Sequence, residues 1–268
     1  MESNWDAMNV EPMEEMAFPL PLETEELEIQ DKSDVSLEIQ KEDVRKIYPE
    51  INIVPNITAT LIPIISGITL YSYIRFFDAY PSAQAVDIYV NGRLTAENVL
   101  YRQFTKYWKT FPGYYRIQVY RTGDRRRALL DKYINLIGYR VYTVALSGLN
   151  DNMDMELIND FLRPLPNQQA YIRIAGLSAN APTMDAYWDD SLVLSEINYP
   201  EISRYLFTRI GRHNLKMRDW VSGAVLVEEP DIQLLGGNAY TAYVIGDMTD
   251  RVGLQIILTR EGISYLNF

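Results

Sequence analysis

YIRFFDAYPSAQAVDIYVNGRLTAENVLYRQFTKY, residues 73–107, and YIRIAGLSANAPTMDAYWDDSLVLSEINYPEISRY, residues 171–205, are one pattern written twice. Laid together without a gap, Tyr73, Ile74, Arg75, Ala83, Asp87, Tyr89, Leu94, Tyr101, Tyr107 and Gly113 fall on Tyr171, Ile172, Arg173, Ala181, Asp185, Tyr187, Leu192, Tyr199, Tyr205 and Gly211, always 98 residues apart. The same register holds where Gly138, Tyr142, Thr143 and Gly148 meet Gly236, Tyr240, Thr241 and Gly246. Each unit has the size of a small domain, too long for one turn of a solenoid.

Inside a unit the period is two. Val86, Ile88 and Val90 alternate with Asp87 and Tyr89, and Asn91-Gly92 then offers a two-residue hairpin turn that needs positive φ. The second copy has Asp189-Asp190 there, a poorer turn, so a longer or strained loop is expected. Further strands read at Tyr114–Tyr120, Tyr139–Leu146 and Ala239–Ile245, with closing strands at Asp154–Phe161 and Gly253–Leu258. A helical turn or two is expected near Ala96–Tyr107. Short strands punctuated this often predict an all-β chain of two tandem immunoglobulin-like or transthyretin-like sandwiches, at 73–165 and 166–268. The last residues, SYLNF from Ser264, echo SYIRF from Ser72 and read as the opening strand of a third copy that stops there.

Upstream lie two different segments. Residues 1–50 hold 15 Asp/Glu and 4 Lys/Arg, a net of −11 that equals the net charge of the whole chain. The arm is acidic, rich in proline and free of glycine, and is expected to be disordered. The remaining body is balanced, which argues against a nucleic-acid-binding field. Residues 51–72 form an uncharged, strand-like stretch. Its Pro55, Pro63 and Gly67, its Asn and Thr content, and the lack of a flanking Lys/Arg cluster on its N-terminal side argue against a membrane span. The start, MESNWDAMNVEPMEEM, has neither a basic n-region nor an apolar h-region. No secretory signal is expected, and intracellular synthesis is.

The pattern Y-I-R, a spaced alanine, D-x-Y and then N-G resembles the DUF4397 family. The residues that carry it are Ile74, Arg75, Pro81, Ala85, Val86, Asp87, Tyr89, Asn91 and Gly92, and again Ile172, Arg173, Ala181, Pro182, Asp185 and Tyr187, over roughly residues 72–260. The resemblance implies a bacterial, repeat-forming β-sandwich module of unknown function, often on extracellular or envelope proteins, with no catalytic residues to carry over. By analogy it places the chain in the cytoplasm or on a spore or envelope surface.

Candidate chemistry is sparse. The 268 residues include no cysteine, which removes disulfides, thiolate nucleophiles and Cys-based zinc sites. Asp87 and Asp185 recur on the same strand position, either as ligands for a cation or a sugar hydroxyl, or as structural carboxylates serving backbone N–H groups or Arg75 and Arg173. The repeat-motif residues Arg75, Asp87, Tyr89, Arg173, Asp185 and Tyr187 are read as structural, since fold maintenance preserves residues in both copies. His213, the only histidine, faces Tyr115 in the alignment and lacks triad or zinc partners at usable spacing. Asp151, Asp154, Glu156 and Asp160 crowd the inter-module region without EF-hand spacing. Arg125-Arg126-Arg127 reads as an exposed basic turn, and Tyr107, Trp108, Phe111, Tyr114 and Tyr115 as core aromatics or a stacking platform for sugars. No cofactor, metal or catalytic residue is expected. The leading expectation is a non-enzymatic structural or interaction protein, such as a spore-coat or envelope assembly component, that pairs with protein partners or with itself through sheet edges. The alternative is a glycan or cell-wall polymer-binding module that uses exposed tyrosines.

Overall fold

The computed structural model describes residues 71–81, 84–262 and 266. The acidic arm, the uncharged segment as far as residue 70, Ala83 and most of the third-copy fragment lie outside the described residues. Seventeen strands follow one another: β1 (Ser72–Asp78), β2 (Val86–Val90), β3 (Arg93–Val99), β4 (Trp108–Thr110), β5 (Gly113–Arg121), β6 (Leu130–Leu136), β7 (Val141–Leu149), β8 (Asn152–Asn159), β9 (Ala170–Gly176), β10 (Met184–Trp188), β11 (Ser191–Ile197), β12 (Glu201–Ile202), β13 (Leu206–Thr208), β14 (Gly211–Asp219), β15 (Val225–Leu234), β16 (Asn238–Asp247) and β17 (Gly253–Arg260). No helix stands among the described residues that is long and apolar enough to cross a membrane.

Each module is a sandwich of two sheets. In the first, β4-β1-β7-β8 packs on β3-β2-β5-β6; in the second, β12-β9-β16-β17 packs on β11-β10-β14-β15, with β13 also paired to β9. β1 and β7 run parallel, and so do β9 and β16, with Tyr73 opposite Val141 and Tyr171 opposite Ala239. The third strand stays beside the second, a transthyretin-like order that differs from the ABED/CFG arrangement of an immunoglobulin constant domain. Alternate residues fill each core, among them Ile74, Phe76, Ile88, Ile117 and Val144 in the first and Ile172, Met184, Leu215, Leu234 and Val244 in the second. Burying one such side chain stabilises by roughly 1.5–3 kcal/mol.

β1 and β7 are buried along nearly their whole length, and so are β9 and β16. Their second faces pack on each other across the two modules, where Phe77, Ala79, Ala145 and Ile158 meet Ala175, Leu177, Tyr243 and Ile245. The Phe77 ring lies 4.8 Å from that of Tyr243. Size alternates between equivalent positions, Phe77 answering Ala175 and Ala145 answering Tyr243, so the two copies of one surface interdigitate. The four sheets therefore stack in a single compact unit.

Two local expectations change. The stretch 96–107 forms no helix: β3 runs to Val99, Phe104 bridges to Phe77, and the Thr105 N–H donates to the Phe76 carbonyl at 2.9 Å. The edge of β1 claims the donors that a helix would have used. The Asp189-Asp190 turn is no longer than Asn91-Gly92, with φ of 49° and 64° against 50° and 77°. Asp tolerates this left-handed region better than most residues, and Asp189 steadies the turn by accepting the Asn214 N–H at 2.9 Å, as Asn91 accepts that of Arg116 at 2.8 Å.

Several repeated residues owe their recurrence to such local needs. The phenols of Tyr142 and Tyr240 accept the backbone N–H groups of Ile137 (3.2 Å) and Leu235 (2.9 Å), pinning the link that precedes β7 and β16. Gly148 and Gly246 adopt φ of 113° and 120°, and an added Cβ would collide with the carbonyl oxygens of Asn152 and Gly253. Gly246→Ala is expected to lower unfolding stability by roughly 2–4 kcal/mol. Gly123→Ala, at φ 77° with open space around it, should cost only about 1 kcal/mol. Urea unfolding of the two variants checks the difference.

Candidate functional site

The inter-module face holds a buried cluster of charges. The Arg75 Nε donates to Thr143 Oγ1 at 2.9 Å, and Thr143 and Tyr107 both donate to Asp160 Oδ2, at 2.7 and 2.9 Å. The second copy repeats this: Arg173 Nε donates to Thr241 Oγ1 at 2.9 Å, and Thr241 and Tyr205 donate to the Glu261 carboxylate. Arg173 then joins the two halves, reaching Asp160 Oδ1 at 2.8 Å and Glu261 Oε1 at 2.9 Å. Its remaining nitrogen donates to the Asn159 carbonyl at 2.9 Å. Arg75 lies over the rings of Phe104 and Tyr107, at 4.5 and 4.7 Å. All four ionic groups are at most 4% exposed.

Two arginines and two carboxylates make the cluster neutral, which is the condition under which buried charge is tolerable. Burial and the neighbouring Glu261 push the Asp160 carboxyl upward, while Arg75 and Arg173 pull it back. The same carboxylates hold Arg173 firmly in its charged form against its own burial. Glu261 follows Asp160 by 101 residues rather than 98, because the turn between β16 and β17 is three residues longer than that between β7 and β8. That offset and the Asp-to-Glu change hide the pair from the repeat register.

The six motif residues go to different places. Arg75 and Arg173 sit in this cluster. Asp87 lies in the other sheet, so of its two structural alternatives, backbone N–H groups or Arg75, it takes the first. Its carboxylate accepts the Asn98 N–H (2.9 Å), the Thr122 hydroxyl (2.8 Å) and the Gly123 N–H (3.2 Å), fastening the β3 and β5 ends. Asp185 likewise accepts the Glu196 N–H at 3.1 Å and is not paired with Arg173. Tyr89 packs edge-on to Tyr120 and carries the Arg125 guanidinium 4.1 Å above its ring, and Tyr187 carries Arg218 at 4.9 Å.

His213 has its Nδ1 2.6 Å from Asp189 Oδ2 and its Nε2 2.9 Å from the Arg209 carbonyl, so both ring nitrogens are engaged. Asp160 is spent in the cluster, and among the described residues no group of three or more His, Asp or Glu side chains could hold a metal ion. The five aromatics from Tyr107 to Tyr115 do not form a platform, since Tyr107, Trp108 and Tyr115 are buried.

Aromatic exposure instead occurs on the outward face of β5 and β6. Tyr114 is 52% exposed and Tyr133, which faces Arg116 across the strands, is 61% exposed. Between and beside them lies a pre-formed polar net. Arg116 grips Asp131 through two bonds of 2.8 and 2.6 Å, and Gln118 donates to Tyr120 OH (3.1 Å) and Asp131 (3.2 Å). Tyr133 escaped the sequence reading because β6 was not recognised as a strand. Two open, shallow depressions complete the surface. One is lined by Tyr80, Pro81, Arg121, Asn150, Asp151 and Asp247, among others, and the second by Lys132, Met153, Asp154 and Tyr199, among others.

Asp78 is a buried carboxyl outside the cluster that is shifted strongly upward. It is 1% exposed; Oδ1 accepts the Tyr80 N–H at 3.0 Å, and Oδ2 has no hydrogen-bond partner among the described residues. Burial pushes its carboxyl up to about 7. The folded chain therefore holds this proton more tightly than the unfolded chain does. Stability from this group is complete below about pH 4 and is lost as pH rises towards 7, by an amount on the order of 2–4 kcal/mol. Asp78→Asn should flatten that decline and raise stability at pH 8. Urea midpoints from pH 4 to 8 for both proteins provide the measurement, and an unchanged slope counts against the assignment.

A family model described as a domain of unknown function, DUF4397, matches residues 72–187 and again 170–262. No curated protein matches the chain. Among solved structures, a streptococcal virulence factor that binds α-glucan is 11% identical and covers 74% of this chain and 100% of its own, with a TM-score of 0.23. A family 26 carbohydrate-binding module from Eubacterium rectale Amy13K, solved with maltoheptaose, is 12% identical over 72% of this chain and 99% of its own, with a TM-score of 0.22. At these scores the likenesses decide nothing about the ligand. The two family matches together span the whole described body, and the chain belongs to the DUF4397 family, carrying its module in tandem.

Proposed function

We propose that this chain is a non-catalytic binding protein whose first module recognises a glycan on the outward face of β5 and β6. The observation that carries the reading is the pairing of two exposed tyrosine rings, Tyr114 and Tyr133, with planar polar side chains already held by one another. A sugar ring offers an apolar face for stacking and a rim of hydroxyls for paired hydrogen bonds, and this surface supplies both. Because Arg116, Asp131 and Gln118 are ordered before binding, little side-chain entropy remains to be lost. The reading does not extend to the second copy, where the equivalent positions are Arg212 and Asp231.

Strand addition at a sheet edge has weaker support. The longest edge strand, β15, carries Glu228, Glu229, Pro230 and Asp231 along its middle, and charge and proline discourage pairing. A catalytic reading has less again, since Asp87, Asp185 and His213 are engaged in local hydrogen bonds in separate places.

The test is calorimetric titration against a panel of soluble α-glucans, β-glucans and solubilised cell-wall polymer. Tyr114→Ala and Tyr133→Ala should each weaken the binding seen by about tenfold or more, a change of roughly 1.4 kcal/mol, while Arg212→Ala leaves it unchanged. Failure of every polymer to bind, or equal binding by the tyrosine variants, would falsify the reading.

A further inference from the structure

The two outer sheets occupy equivalent places in the repeat but carry opposite charge. Residues 86–99 and 113–136, which form β2, β3, β5 and β6 with their turns, hold seven Lys/Arg and four Asp/Glu. The equivalent 184–197 and 211–234 hold three and eight. The fold does not require this inversion, because both sheets have the same strand order, although the β14–β15 pair carries two register shifts and a shorter connecting loop than β5–β6. It is a difference in surface alone, and surface charge of this kind governs association rather than folding.

On the first module the positive charge gathers in the loop from β5 to β6. Arg125, Arg126 and Arg127 are exposed there, with Asp124 held by Arg126 at 2.7 Å and Arg125 laid over Tyr89. The loop leaves the end of β5 opposite to Tyr114, seven residues or roughly 23 Å away, and its Arg125 lies 5.6 Å from the Tyr120 ring. On the second module, the negative charge gathers where the β10–β11 turn meets the middle of β15. Lys216 binds Asp190 at 2.7 Å and Glu228 at 3.4 Å, and Asp189, Glu229 and Asp231 surround them. The Asp190 and Asp231 side chains remain 71% and 77% exposed. Lys216, Arg218 over Tyr187 and the weakly placed Arg212, 3.9 Å from Asp231, offset only part of the eight carboxylates and leave this sheet anionic.

We infer that these surfaces are partners: the Arg125–Arg127 loop of one copy docks on the acidic outer sheet of the second module of another copy. The occupant is a second copy of this chain because both halves of the charge complement stand on the same body, one on the outer sheet of each module. Guanidinium forks match carboxylates in paired hydrogen bonds, which gives such a contact orientation as well as attraction. The two surfaces are different parts of one chain, so the contact is heterologous. Unless a pair makes both contacts at once, each addition leaves one loop and one face open, and the assembly propagates head to tail.

Sedimentation velocity over a hundredfold concentration range tests this in the full chain. The wild type should exceed its monomer mass of 31.0 kDa increasingly with concentration, with no plateau at the dimer. Raising salt from about 0.05 to 0.5 M should return it to monomer as the Debye length shrinks. A chain with Arg125→Glu, Arg126→Glu and Arg127→Glu should stay monomeric, and so should one with Glu228→Lys, Glu229→Lys and Asp231→Lys. Mixing these two chains restores attraction at both contacts, glutamate loop on lysine face and arginine loop on acidic face, so growth resumes in alternation, and combining all six changes in one chain restores it as well. A wild type that remains at monomer mass throughout overturns the inference. So does association lost in the loop variant but untouched in the β15 variant, which assigns the loop instead to the acidic arm.

Discussion

Arg173 is the residue on which the arrangement of the body depends. It belongs to the second module, yet it donates to Asp160 of the first as well as to Glu261 of its own. Without it both carboxylates would lose a partner they share, and a buried charge left without its partner typically costs 3–5 kcal/mol. The ion cluster therefore acts less as a source of net stability than as a condition on geometry. The two sheets can close only in the register that brings Arg173 to both carboxylates. Around it, Phe77, Phe104 and Tyr243 supply the apolar contact that stabilises closure once that register is met.

That requirement organises the division of labour in the chain. Each module has one sheet committed to its sister and one turned outward. The inward sheets keep the repeat's arginine, threonine and tyrosine because the cluster needs them in both copies. The outward sheets are released from that demand and have diverged, the first towards tyrosine and arginine and the second towards carboxylates. The proposed glycan surface and the proposed contact between copies both lie where the repeat is least faithful to itself.

Much of this was legible in the sequence. The 98-residue register, the strands with period two and the Asn91-Gly92 hairpin gave the sandwich fold directly. What stayed hidden did so for physical reasons. Arg75 alternates correctly along a strand, but alternation cannot reveal that both faces of that strand are buried, so the module interface was invisible. Asp160 and Glu261 fall out of register through a three-residue difference in one turn. The aromatic run that reads as either core or platform spans strands of two sheets and both faces of β5: Tyr115 points into the core while Tyr114, its chain neighbour, points out. Tyr133 joined the surface only once β6 was seen beside β5.

If the ion cluster binds the modules into one body, they cannot unfold separately without stranding buried charge. Differential scanning calorimetry of the full chain tests this most directly. The account predicts one cooperative transition, with calorimetric and van't Hoff enthalpies in agreement. Two resolved transitions, each carrying about half of the total enthalpy as two modules of equal size would, contradict it.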